Sequence, residues 1–187
     1  MEQPTKMSLR AGARTILTGL SEEARAAASA EIRRRIVALP EWLNAGTVAL
    51  FAAQNTEPDL ISLVDAGGKR FCFPRVSGDA LEFHQCDSKS DLVPGRWGLL
   101  EPDATRRPVI GPAEIDLLLI PGLAFTRTGG RLGRGGGFYD RFLESTRPRA
   151  VKIGVCFHAQ IVPTLPLEMH DHEVDAVVSE AEVIRRG

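Results

Sequence analysis

Residues 131–140 read RLGRGGGFYD, placing four glycines, two arginines and a carboxylate within ten residues. Gly133, Gly135, Gly136 and Gly137 let the backbone approach a ligand closely and visit positive φ, so that successive amides of the run, including Leu132, can converge on an anion. Arg131 and Arg134 add fixed positive charge. A helix predicted from Tyr139 to about Ser145 turns the positive end of its dipole toward the same place. The chemistry implied is the holding of phosphate. No Gly-Lys-Ser/Thr closes the run, so it is not a Walker A loop, and its G-x-G-G-G spacing is not the dinucleotide fingerprint. Asp140 follows directly, where a carboxylate can hold a hard Mg²⁺ that bridges to phosphate oxygens. Taken alone, a glycine-rich run also describes a flexible connector, and a lone aspartate also describes a helix cap.

The elements around this run are those of an α/β layer. Residues 5–17 have helical periodicity, with Lys6 and Arg10 four apart on one face. Ser21 begins a second helix, with Glu22 and Glu23 in its first turn and Ala28, Ile32, Ile36 and Leu39 along one stripe; Pro40 is expected to end it. Residues 47–53 form an apolar run of strand length. Thr56 and Asp59 resemble a capping box opening a helix that runs through Val64. Residues 70–76 and 80–85 read as strands separated by Ser77, Gly78 and Asp79. Residues 87–113, rich in Pro, Gly and charge, read mainly as loop. Residues 115–120 (IDLLLI), 151–157 and 176–179 complete the strand candidates. Strands interleaved with helices predict one layered domain over residues 1–187, its central sheet mixed and largely parallel, flanked by helices.

Composition sets bounds on function. Lys and Arg number 23 against 24 Asp and Glu, so any anionic ligand must be held by a local cluster, and a generic nucleic-acid binder is disfavoured. Cys72, Cys86 and Cys156 are widely spaced and read as reduced thiols. The first fourteen residues carry charge but no apolar stretch of signal-peptide length, which predicts a cytoplasmic protein without membrane contact.

The string RLGRGGGFYDRFL, preceded by IDLLLIPGLAF, resembles the signature of the 5-formyltetrahydrofolate cyclo-ligases, also called 5,10-methenyltetrahydrofolate synthetases. KMSLR near the start, residues 51–57, FPRV at 73–76, WGLLEP at 97–102 and HDHEVDAVVSE near the end extend the resemblance over nearly the whole chain. It implies ATP-dependent closure of 5-formyltetrahydrofolate to the 5,10-methenyl form, with Mg²⁺ as cofactor; a monomer is expected, though the sequence itself does not fix the oligomeric state. It implies that ATP is contacted by Lys6, Arg10 and the loop from Arg131 to Tyr139, that Asp140 and Asp175 hold the metal, and that Glu57 contacts the folate. Trp97, Phe138 and Tyr139 fall where rings could stack on the substrate. Arg131, Arg134 and Asp140 are the residues expected to carry the chemistry.

Two positions depart from the family pattern. Pro58 follows Glu57, and Phe138 replaces a tyrosine in the loop's aromatic pair, which keeps stacking but removes a hydroxyl. His170, Asp171, His172, Glu173 and Asp175 also permit a transition-metal reading through His-x-His, which the resemblance disfavours. Two other functions stay open at this point. One is a folate- or nucleotide-binding relative without ligase activity; the other, on fold analogy alone, is a sugar-phosphate isomerase or CoA-transferase-like enzyme needing no ATP.

Overall fold

Thr5 and Ser21 each accept a backbone N–H three residues on, capping α1 (Lys6–Thr18) and α2 (Glu22–Val37). Pro40 does more than stop α2. Its preset φ suits the first turn of a further helix, α3 (Pro40–Asn44), whose Trp42 is buried. The computed structural model describes residues 4–95, 98–146, 149–168 and 171–186.

The strands in chain order are β1 (Thr47–Ala49), β2 (Arg70–Ser77), β3 (Ala80–Gln85), β4 (Leu92–Pro94), β5 (Leu100–Pro102), β6 (Val109–Ile110), β7 (Leu117–Pro121), β8 (Ala124–Phe125), β9 (Arg131–Leu132), β10 (Val151–Val155), β11 (Ala176–Val178) and β12 (Val183–Arg185); α4 (Phe138–Thr146) lies between β9 and β10. Eight of them form one sheet in the order β12-β11-β10-β7-β1-β2-β3-β6. The inner run from β11 to β2 is parallel, and β12, β3 and β6 are antiparallel at the two edges. The expected mixed, largely parallel sheet is present.

Alternation along each strand divides the core into two layers. Leu117 and Leu119 of β7 face α1, α2 and α3 with Val48, Phe71 and Phe73, while Leu118 and Ile120 face α4 with Ala49, Cys72, Phe142 and Leu143. The near-continuous apolar character of β7 follows, because a strand covered on both faces has no wet side.

Several expectations are refined or corrected. Residues 87–113 are mainly loop, as expected, and to this the structure adds the short strands β4, β5 and β6, with β4 pairing β5 in a separate two-stranded flap. The helix expected from Thr56 is absent. Pro58 disfavours α geometry at Glu57, the Glu57 carboxylate turns back onto the Gln54 amide, and only a 3-10 segment at Ile61–Ala66 forms. Pairing of the first strand stops at Ala49, so residues 51–53 are free to line a cavity. Among the described residues no helix is long and apolar enough to cross a membrane.

The hairpin of β8 and β9 lies against the sheet because Gly154 leaves room for Phe125, which is fully buried. A Cβ at Gly154 would sit 2.4 Å from the Phe125 ring, which cannot give way like the end of a flexible chain. Gly154→Ala is therefore expected to destabilise by about 1–3 kcal/mol through overpacking. A thermal melt should show Tm lowered by roughly 2–10 °C; an unchanged melt would mean the hairpin moves aside without strain.

Candidate functional site

Two cavities open beside the glycine-rich run, near the carboxyl ends of the parallel strands, where open α/β sheets place their ligands. The larger, about 990 Å³, is lined by Lys6, Arg10, Leu132, Gly135, Asp171 and the β2–β3 turn. The smaller, about 160 Å³, is lined by Phe51, Glu57, Glu101, Arg134, Gly136, Phe138 and Tyr139. Arg131, Gly133, Gly137 and Asp140 line both, so the run from 131 to 140 is the wall between them. A third cavity of about 600 Å³ shares Ala52, Gln54, Glu57 and Leu100 with the smaller one and extends it.

The wall is held by paired charges. Arg131 is 5% exposed; its Nη2 donates to Asp140 Oδ1 at 2.5 Å and its Nη1 to the Pro121 carbonyl at 3.4 Å, tying the first turn of α4 to the end of β7. Arg134 Nε donates to Glu57 Oε1 at 2.8 Å and its Nη2 to Thr56 Oγ1 at 3.2 Å. From α1, Arg10 Nε reaches the Gly133 carbonyl at 3.0 Å. Gly135 at φ +110° and Gly137 at φ +66° adopt backbone that other residues resist, and this turns the chain sharply into α4.

Lys6 belongs to the larger cavity: its Nζ lies 2.7 Å from Asp171 Oδ2 and 3.3 Å from Glu168 Oε2. Burial lowers its pKa, but the hydrogen bonds and charges of these two carboxylates outweigh that and raise it above the ordinary lysine value, so the cation persists. In the smaller cavity the Tyr139 hydroxyl is buried without a hydrogen-bond partner among the described residues, and burial, with Glu57 adding to it, pushes its pKa up. The phenol stays neutral and available to a ligand. The Arg131 guanidinium lies 5.7 Å from the Tyr139 ring centroid, and Arg141 lies 4.9 Å from that of Phe138.

Asp175 is not brought to this site. It immediately precedes β11; its Oδ2 accepts from the Lys152 amide at 2.8 Å and lies 3.1 Å from Lys152 Nζ. Lys152 is in register with Leu118, three residues before the Val155–Pro121 level, a separation of about 10 Å along the strand. Asp116 does the same at the start of β7, accepting from the amides of Gly46 and Thr47. Both aspartates staple strand starts at the opposite end of the sheet from the cavities. Pairing Asp175 with Asp140 at one metal is therefore corrected. Asp171, four residues earlier, is the tail carboxylate that reaches the cavity, and its contact with Lys6 is what the sequence pattern could not reveal.

The remaining candidates are as follows. Trp97 and His170 lie outside the described residues. His172 Nε2 is 3.0 Å from Glu144 Oε2, and no group of three metal-ligating side chains converges among the described residues, so the transition-metal reading gains nothing. Cys72, Cys86 and Cys156 are free and buried, and burial raises the Cys86 thiol to about 12.

Residues 2–180 match the sequence profile of the 5-formyltetrahydrofolate cyclo-ligase family. The chain belongs to that family. It is 34% identical to the 5-formyltetrahydrofolate cyclo-ligase of Escherichia coli K12 over 80% of this chain and 86% of that one. It is 29% identical to the probable 5-formyltetrahydrofolate cyclo-ligase of Schizosaccharomyces pombe over 96% and 97%. The 5,10-methenyltetrahydrofolate synthetase of Aquifex aeolicus superposes with a TM-score of 0.87 at 32% identity, covering 97% of this chain and 92% of that one. With cyclo-ligase membership established, the two cavities sharing one charged wall acquire a chemical meaning.

Mg²⁺ fits the donors present. This ion keeps several waters and binds through one or two carboxylates together with substrate phosphate oxygens, so it needs no closed protein cage. Asp140 and Asp171 line the larger cavity with Asp79, Glu144 and Glu168, facing Lys6, Arg10, Arg131 and Arg141, so carboxylate oxygens for the metal and cations for phosphate are both at hand.

Proposed function

We propose that the two cavities are the two substrate sites of one reaction, ATP in the larger and the folate in the smaller and its extension. The reaction is the family's: ATP-dependent closure of 5-formyltetrahydrofolate to 5,10-methenyltetrahydrofolate, and this chain is an enzyme of that kind. The observation that carries the placement is the shared wall, because Arg131 and Asp140 line both cavities and so border the point where phosphoryl donor and acceptor meet.

A formamide oxygen is a poor leaving group. In the proposed course it attacks the γ-phosphorus as the bond to ADP breaks, giving a phosphorylated iminium. The neighbouring amine then forms the new C–N bond and loses its proton, and phosphate departs with the former formyl oxygen. The protein aligns and neutralises. Lys6, Arg10 and Arg131 offset phosphate charge, and the amides around Gly135 and Gly137 orient it. Asp140 and Asp171 would hold Mg²⁺, which neutralises phosphate oxygens when bound. Glu57, held by Arg134 and the Gln54 amide, presents its remaining lone pairs to the N–H groups of the pterin. Tyr139 supplies the unpaired hydroxyl, and Phe138 a ring for stacking.

Purified protein with 5-formyltetrahydrofolate, ATP and Mg²⁺ should develop the methenyl absorbance band, and omission of any one component should abolish it. A band formed without ATP would sink the proposed course; no band from the complete mixture would leave only a binding protein. For Glu57→Gln the expected defect is in the folate, with KM raised about tenfold or more and ATP use little changed. An unchanged folate KM with weakened ATP use would show that Glu57 serves the nucleotide side of the wall.

A further inference from the structure

We infer that Glu101 is a second substrate-contacting carboxylate, accepting a hydrogen bond from a ring N–H of the folate in the smaller cavity. This rests on reading that cavity as the folate site. Glu101 is the middle residue of β5, opposite Val93 in the flap. Alternation turns it inward: Leu100 is 38% exposed and Glu101 only 5%. An inward position on a strand ordinarily carries an apolar side chain, and here a carboxylate lines the apolar cavity instead.

The carboxylate is under-used by the protein. Two oxygens offer about four acceptor sites, and the contact they make among the described residues is one from the Val76 amide at 3.4 Å. No Lys, Arg or His among the described residues pairs with it. The other buried carboxylate of the cavity, Glu57, has both oxygens engaged at 2.8 and 2.9 Å. A carboxylate that a fold keeps on an apolar cavity wall, with most of its acceptor sites unused by the protein, is open to a donor entering that cavity. The Tyr139 hydroxyl in the same cavity has no partner among the described residues, and the two side chains are not bonded to each other. An open acceptor and an open hydroxyl in one apolar cavity suit a flat heterocycle edged with both N–H groups and acceptors, as a reduced pterin is. Room for Glu101 comes from Gly95, where a Cβ would lie 2.4 Å from Oε2.

The test is direct binding of 5-formyltetrahydrofolate without ATP, by calorimetry, with Kd for ATP and the thermal melt measured alongside. Glu101→Gln keeps the shape and an acceptor for the Val76 amide; Glu101→Leu removes the acceptor. The folate Kd is expected to rise about tenfold in Glu101→Gln and further in Glu101→Leu, with Kd for ATP unchanged and Tm not lowered in Glu101→Gln. Wild-type folate affinity in Glu101→Gln would overturn the inference. So would a lowered Tm with equal losses for folate and ATP, since Glu101 would then only hold the flap to β2. Failure of the unaltered protein to bind 5-formyltetrahydrofolate would instead overturn the reading of the cavity.

Discussion

Asp140→Asn is expected to lower kcat on the order of 100- to 1,000-fold, the scale seen when a preorganised electrostatic contact to a transition state is removed. Asparagine keeps an oxygen for Arg131 but loses the negative charge that a metal–triphosphate requires. The same change leaves the Arg131 guanidinium, whose side chain is 3% exposed, facing a neutral group. Removing one partner of a buried ion pair costs about 3–5 kcal/mol, and the 20% exposure of Asp140 with the retained hydrogen bond points to the lower end. Turnover and stability should therefore both fall, by separable amounts. A melt locates the temperature at which the variant is fully folded, and turnover measured below it isolates the chemical defect. Near-wild-type turnover in that folded range would remove Asp140 from the reaction and leave it as the anchor of Arg131.

What the sequence disclosed divides along physical lines. Long or strongly apolar elements were legible, because burial on both faces of β7, the helical periodicity of residues 5–17 and the N-cap at Ser21 are local signals. The strands β4, β5, β6 and β12 are only two or three residues long; β4 with β5 and β12 with β11 form short hairpins, and β6 depends on β3 far back along the chain. Local propensity carries little of that. At Thr56 one local signal overruled another, as Pro58 cancelled the capping box. In the site, the glycine-rich run, Lys6, Arg10 and Glu57 could be named from the sequence, and the structure sets Lys6 and Arg10 on one side of that run and Glu57 on the other. What escaped was register and partnership. Nothing in the order of residues says that Arg134 serves Glu57 and not the larger cavity, or that the carboxylate of Glu101 turns inward.

The choice between Asp171 and Asp175 is the sharpest instance, and its expected result separates two roles that a sequence pattern merges. Both lie in one acidic tail, four residues apart. Asp171 lines the larger cavity, with Lys6 Nζ at 2.7 Å and the Glu168 amide at 2.7 Å on its Oδ2. Asp175 is engaged by the Lys152 backbone and ammonium at the other end of the sheet. Asp171→Asn should raise the Mg²⁺ concentration needed for half-maximal turnover and lower saturated turnover on the order of 100-fold, because a neutral amide is a poor ligand for a hard cation. Asp175→Asn should leave the Mg²⁺ dependence where it was. Its effect is on stability, about 1 kcal/mol for a weakened backbone hydrogen bond; the half-exposed pair with Lys152 adds little in water. Mg²⁺ titrations of both variants beside their melts decide the matter. If the metal dependence shifts in Asp175→Asn and not in Asp171→Asn, the nucleotide does not occupy the cavity beside Lys6, and the placement of both substrates fails with it.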